Sequence, residues 1–432
     1  MIQAVPEVTI SGTWLADKIS ASIESLAKTG FTVRAVVTDN HSSNVSAFST
    51  LEKRFGKSDQ LYIKHPANNG KNTYLFYDTP HLVKNVRNNL LNAKRFVFPA
   101  FDYEKDGINI HCPAGYIAWS DLHKVFDLDA KLQGNLKKAH RLSYRSLHPG
   151  NNKQSVPLAL SIFHETTRAA CESYLPDRKD VSEFLKIIGT WWLICNSKEI
   201  TNPNPVGNAI KPGDGKTSYL EFMADWLENW WEKCPAFTLT ANTSKALVRT
   251  LRAQSGLIKE LLSEGYKFVL TSRLQSDPVE RRFSQYRQMS GGRFLVGLRE
   301  VQNSERILRC RSLIKADIDF WKEDLGTDKP THDLGTLMET VNEHRTEIME
   351  ASLDTDSEEV STTIAGYIAK KLAKRSNCDR CKKLLIANQM DLDENHYLNL
   401  LSRGGLIVPS SKLAQYASYC YAILDYVEHQ KL

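Results

Sequence analysis

Residues 31–44, FTVRAVVTDNHSSN, do most to limit what this chain can fold into. Val33, Ala35 and Val37 make one face of a strand, and Arg34, Val36 and Thr38 make the other, so one face is wholly apolar and the other largely so. A strand of that kind is expected inside an α/β sheet, covered from both sides. It stops at Asp39, and open α/β sheets place their binding and catalytic groups at the carboxyl ends of strands. Two readings follow. Asp39 or Ser42 closes an Asx-type turn and caps the next helix, or the strand delivers an acid to a site.

The surroundings support a sheet with alternating helices. A strand near residues 5–10, a helix over about 12–28 closed by Gly30, the strand to Asp39 and a helix through SNVSAFSTLEKRFG succeed one another. NTYLFYDTPHLVKNVRNNLL adds an apolar strand, a proline at a helix start and an amphipathic helix. The opening MIQAVPEVTI enters a strand with no cap or leader, and the expectation is a chain that starts inside a domain. Beyond about residue 105 helical periodicity takes over, interrupted by TNPNPVGNAIKPGDGKT, a Pro/Gly/Asn-rich loop expected to be mobile. Strand character returns at KFVLTSRL, before a helix beginning DPVERRFSQYRQ.

Bulk composition narrows the function classes only mildly. The 432 residues, 41% hydrophobic and 25% charged, suit a globular protein of two or three domains. No apolar run approaches a membrane span, and a net charge of +6 permits a nucleic-acid partner without demanding one. Eight scattered cysteines fit a reducing compartment, cytosol or nucleus.

A partner for Asp39 is sought in SDPVERRF. Asp277, Pro278 and Glu280 have the spacing of a helix cap, first turn and capping box. The strand-like run before them would bring that helix start to a sheet edge. Carboxylates converging there would bind a divalent metal, and two-metal sites activate a hydroxyl in phosphodiester transfer.

Five ordered motifs carry a family resemblance: VVTDNHSSN, YDTPHLVKNVRNNLL, LTSRLQSDPVERRFSQYRQMSGG, IAGYIAKKL and RGGLIVPS. Together they resemble P element-type DNA transposases, the THAP9-like proteins among them, over nearly the whole chain. The resemblance implies an RNase H-like (retroviral integrase-type) α/β core interrupted by an all-α insertion, followed by a small C-terminal domain. It also implies a D-D-E acid triad with Mg²⁺ or Mn²⁺ that cleaves and joins DNA. Asp39 matches the second acid of the triad and Glu280 the third. The first acid belongs to a motif like FDEM, which does not precede Val5, and the amino-terminal zinc-binding domain of the family is not found either. The expected product is a transposase fragment, with a non-catalytic DNA-binding or regulatory derivative as the alternative.

The expected division is 1–104 and 263–325 for the two parts of the core and 105–262 for the insertion. An acidic linker is read at 326–362 and the C-terminal domain at 363–432. Asp277, Asp78 and His81 are auxiliary acid/base candidates, although a turn-and-cap role serves Asp78 equally well. Lys84, Arg87, Lys94 and Arg95 are candidates for DNA phosphates, although a solvated basic helix face explains them by default, and Arg281, Arg282 and Arg287, beside Glu280, are better placed for a DNA strand. Tyr286 either packs or stacks on a base. Some family members bind GTP through the insertion, using an acid three residues before the Asn of an NSK helix end. Here that place holds Leu193, so GTP is doubtful, with Asp129 and Lys153 as the remaining nucleotide candidates. PGDGKTS lacks the first glycine of a phosphate loop. Cys378 and Cys381 have zinc-knuckle spacing, with His396 and Cys420 downstream. The implied partners are transposon-end and target DNA and further copies of the chain, and the implied location is the nucleus.

Overall fold

The computed structural model describes residues 11–56, 60–131, 137–292, 295–323, 355–375, 378–387 and 407–430. It is mixed α/β and mostly helical, and it divides into two units, residues 7–276 and a second that begins at Asp277.

In the first unit α1 (Gly12–Lys28) starts at Ser11, whose hydroxyl accepts from Trp14 N, and ends before Gly30, where φ is 86°. Only glycine takes that conformation without strain. Strand β1 (Ala35–Thr38), α2 (Ser42–Phe55), β2 (Tyr62–His65) and β3 (Asn68–Tyr77) follow. The sheet order is β1-β3-β2, with β1 parallel and β2 antiparallel to β3. The pleat sends alternate side chains of β3 to opposite faces. Leu75 and Tyr77 meet Phe48 and Leu51 of α2, while Tyr74 and Phe76 meet Ala253 and Leu257 of a long helix, Ala241–Ser263. At Gly256 a Cβ would lie 2.8 Å from the Tyr74 ring, so the glycine permits this close approach.

β1 departs from the expectation of a fully covered strand. All four residues are half-buried, because β1 is an edge strand and no strand pairs with its other side among the described residues. The expected strand near residues 5–10 lies outside the described residues.

Between β1 and the long helix an ionic cluster forms. Arg34 donates to Glu260 at 2.5 Å and to Glu264 at 2.6 Å, and the Tyr74 hydroxyl and Asn72 amide both reach Glu260. Hydrogen bonds from Arg34, and then from Lys71, hold the Glu264 carboxyl below its ordinary value of 4.5. A depressed carboxylate contributes stability that is present above the unfolded value and lost as pH falls through the folded one. Urea midpoints measured from pH 6 down to pH 3 should therefore fall on the acid side of 4.5. Arg34→Met should flatten that limb, and an unchanged limb would remove the assignment.

After β3 come α3 (Thr79–Ala93) and two β-ribbons that sequence periodicity did not reveal. β4 (Arg95–Phe98) pairs with β7 (Gly115–Ala118), and β5 (Phe101–Lys105) with β6 (Ile108–Cys112). The inner turn is Asp106 and Gly107, with φ of 53° and 80°, the left-handed pair that tight hairpins require. The helical region thus starts not at 105 but at α4 (Trp119–Ala130), and continues through α5 (Tyr144–Leu147), α6 (Val156–Ile162), α7 (Glu165–Tyr174), α8 (Lys179–Cys195) and α9 (Lys216–Lys233). The Ala241–Ser263 helix is α10.

The loop over 201–217 is tightly bonded rather than loose. Ala209 and Ile210 are buried, Lys216 Nζ donates to Asn208 O, and the Asp214 carboxylate accepts from Lys211 N and Lys216 N. KFVLTSRL forms no strand; Val269 makes a single bridge to Ile210, and a 3-10 turn follows at Thr271–Arg273. A lone apolar run cannot become a strand where no ladder accepts it.

The second unit contains α11 (Asp277–Met289), α12 (Leu298–Glu323) and helices Thr355–Arg375, Asp379–Leu385 and Ser411–Gln430. Ile307 packs on Ile364, joining α12 to the Thr355–Arg375 helix. That helix begins inside the stretch 326–362 read as a linker. No described helix is long and apolar enough to cross a membrane.

Candidate functional site

The parallel pairing of β1 and β3 fixes the geometry at their carboxyl ends. Thr38 lies opposite Tyr77, so Asp39 and Asp78 leave the sheet at the same level on neighbouring strands. Asp78 N donates to Thr38 O at 2.7 Å and extends the ladder by one bond.

Asp39 is half-buried. Its Oδ1 accepts from His41 N at 3.0 Å and from Asn44 Nδ2 at 2.7 Å, and its carbonyl accepts from the Thr38 hydroxyl at 2.9 Å. The carboxylate is therefore held through one oxygen. Oδ2 receives no hydrogen bond among the described residues. The expected helix cap proves to be neither Asp39 nor Ser42 but His41, whose Nδ1 accepts from Ser43 N. Asn40 accepts from Asn85 of α3 at 3.2 Å, tying the loop after β1 to the helix after β3. These asparagines were not singled out in the sequence; the polar run NHSSN directly after the acid was the available signal.

Asp78 is fully buried and its two oxygens are both engaged. Oδ2 caps α3 through His81 N at 3.3 Å, and Oδ1 accepts from Ser276 N at 2.7 Å. The turn-and-cap role is thus real, and it reaches further than α3, because it also pins the segment that leads into α11. His81 is half-buried in the first turn of α3.

The basic side chains of α3 do not form the solvated face that periodicity suggested. Lys84 and Arg87 are buried, so a strand of DNA lying on the surface would not reach them. Arg87 donates to Asn88 Oδ1 at 2.8 Å and to Lys153 O at 2.9 Å, while its Nη1 meets no acceptor. Burial without an acid partner lowers its pKa. Lys94 and Arg95 are exposed.

In the second unit Asp277 and Glu280 stand in the first turn of α11, Glu280 exposed. Arg281 is exposed and Arg287 half-buried. Arg282 is not available as expected, since its guanidinium takes both oxygens of Glu305 on α12, at 2.6 and 2.8 Å. Tyr286 is buried and hydrogen-bonded to the same carboxylate, and burial together with that bond pushes its hydroxyl up to about 12. It packs rather than stacking on a ligand.

Of the nucleotide candidates, Asp129 is spent internally. It is buried, and it accepts from Lys138 N, Ala139 N and the Tyr174 hydroxyl. Lys153 is exposed and Leu193 half-buried. Cys378 is exposed; the side chain of Cys381 and all of His396 lie outside what is described, and with them the zinc expectation.

The fold has a counterpart in a solved transposase complex. Residues 351–431 match the family described as DNA transposase THAP9, C-terminal domain. The chain is 24% identical over 428 residues to the transposable element P transposase of Drosophila melanogaster, covering 92% of this chain and 52% of that protein. It spans about half the length of that curated relative. The solved Drosophila P element transposase strand transfer complex matches with a TM-score of 0.56 at 22% identity, over 67% of this chain and 62% of the other. The five motifs thus resemble what whole-chain comparison also finds, P element transposase, and the structural likeness shows a shared fold.

Proposed function

We propose that the chain supplies part of a P element-like DNA transposase, with an RNase H-like core that cuts and joins DNA in a metal-dependent reaction in the nucleus. The observation that carries this reading is Asp39. It follows a strand parallel to its neighbour and is clamped through Oδ1, and among the described residues Oδ2 receives no hydrogen bond. That is the donor set a hard divalent ion prefers, an anionic oxygen whose side chain is already ordered. Mg²⁺ or Mn²⁺ bound there would supply Lewis-acid stabilisation of phosphodiester transfer. Asp39 would hold it; Glu280 is the acid that the resemblance matches to the third of the triad. Asp78 is a positioning residue, which fixes the start of α3 and the backbone at Ser276. DNA as the partner is supported by the strand transfer complex that the fold resembles.

The test is direct. Purified chain joined to a strand that carries the first acid of the triad is incubated with transposon-end DNA and Mg²⁺ or Mn²⁺, and cut or joined products are resolved on a gel. Products that need the metal and vanish with EDTA are expected. Binding without any product would make the chain a regulatory DNA-binding derivative.

GTP dependence is not part of this reading. Leu193 stands where GTP-binding relatives of this type carry the acid that pairs with the guanine edge, and an apolar side chain accepts no N–H bond. Calorimetry should therefore find GTP bound no more tightly than ATP. Guanine-selective binding would show that other residues read the base.

A further inference from the structure

The remaining candidates elsewhere on the molecule are the charged clefts beside α9 and α10, the lysine-lined loop before α9 and the basic surface around α5. The first is laced by Arg252 to Asp225 and Glu228, and the second is filled by the Asp214 carboxylate. The third has no such internal answer.

From Ala130 to His164 the sequence contains no Asp or Glu, but six Lys or Arg and three His, although the whole chain holds nearly as many acids as bases, 50 against 56. On neighbouring elements half-buried arginines are neutralised: Arg168 by Glu165 and Glu172, Arg178 by Asp121 and Asp180. Lys137, Arg141, Arg145 and Lys153 are exposed, and among the described residues none of them meets a carboxylate.

The frame that presents these cations is rigid. α5 is a single turn closed by reciprocal Ser143 and Ser146 bonds, and it packs on α4 and α6. Leu142, Ser146 and Leu147 point inward. The preceding loop hangs on Asp129, and the following one is held from beneath by Arg87 on Lys153 O. What this leaves outside is Tyr144, 65% exposed, between Arg141 and Arg145. Its ring lies 4.3 Å from His148, whose ring is in turn 4.8 Å from His123. The Tyr144 ring stabilises no core and stands in water beside these cations.

We propose that this face is a docking surface for an unpaired nucleic-acid strand, with Arg141 and Arg145 on the phosphates and Tyr144, backed by His148, as a platform for one base. Aromatic faces accept any base and cations track the backbone, which is how sequence-tolerant single-strand sites are built. A duplex keeps its base faces stacked and would use the cations alone. The choice of DNA as the polymer rests on the transposase reading, but the surface does not involve Asp39 or a metal.

The test is fluorescence anisotropy of the full chain with a labelled 20-nucleotide mixed-sequence single strand, in EDTA, across a salt series. Tyr144→Ala should weaken binding by about 5- to 150-fold with the salt slope unchanged, while Tyr144→Phe should bind as the parent does. The double variant Arg141→Gln with Arg145→Gln should reduce the slope by about 1.4, from roughly 0.7 per phosphate contact on a single strand. An unaltered slope would overturn the surface. A changed slope with no effect of Tyr144→Ala, or with heparin competing equally against both, would overturn the base platform and leave a general polyanion patch. The EDTA in the assay serves as the separator, since binding is read without metal and a failure of the metal reading would leave these results in place.

Discussion

Asp39→Asn is expected to lower the proposed metal-dependent cutting and joining of DNA at least about 100-fold, while DNA binding should stay within about threefold of the parent. The magnitude follows from losing an anionic ligand, since removing one electrostatic contact to a transition state typically costs about 10²–10³ in rate. The clean separation follows from the geometry. Asparagine keeps a carbonyl oxygen to accept from His41 N and Asn44 Nδ2, so the turn after β1 survives. Its amide nitrogen replaces Oδ2, and an NH₂ group donates rather than ligates. Glu280→Gln should behave alike. Asp78→Asn should not, because both Asp78 oxygens already receive backbone N–H groups, and the amide would set a donor against one of them. It should therefore lower stability as well as rate. Product gels in Mn²⁺ beside anisotropy binding curves read both quantities, and an Asp39→Asn protein with full activity would return Asp39 to a turn residue.

How much of this was legible in the sequence depended on whether a signal was local. α1, α2 and α3 could be read because caps, a terminal glycine and a proline in the first turn are local marks. The end of β1 at Asp39 was legible for the same reason. Its status as a half-buried edge strand was not, since burial depends on what pairs with the other side. Two ribbons escaped because their strands are four or five residues long, and the Asp106–Gly107 turn that announces one of them was passed over. KFVLTSRL failed in the opposite direction, for strand propensity is only an offer until a ladder accepts it.

The basic residues show the same limit at the level of the site. Lys84 and Arg87 have the helical spacing of a solvated face, but that face of α3 meets other elements and is buried. Arg282 was chosen because it follows Glu280, and its true partner is Glu305, 23 positions on. Tertiary ion pairs of that kind leave no periodic trace. The acid-free run around Tyr144 could have been found by counting, since an absence of acids over so long a stretch is itself a pattern.

Trp230 of α9 lies in the core, and the largest expected loss of stability follows from it. Trp230 is 1% exposed and its ring meets Phe96, Phe98 and Phe184 edge-on, at 5.4, 6.3 and 5.9 Å. Its Nε1 also donates to Val97 O at 2.6 Å, so a single side chain fastens the β4–β7 ribbon to α9 by packing and by a hydrogen bond. Trp230→Ala should cost about 3–5 kcal/mol from the cavity alone, and roughly 1 kcal/mol more for the carbonyl of Val97 left without its donor. Trp230→Phe retains a ring for the three phenylalanines and loses the donor, so about 1–3 kcal/mol is expected. Tyr144→Ala, at an exposed ring, should stay within about 0.5 kcal/mol of the parent. Urea midpoints at neutral pH rank the three. If Trp230→Ala matched Tyr144→Ala, the ribbon would have to be held by β4–β7 pairing alone, and a two-stranded ribbon in water is too weak for that.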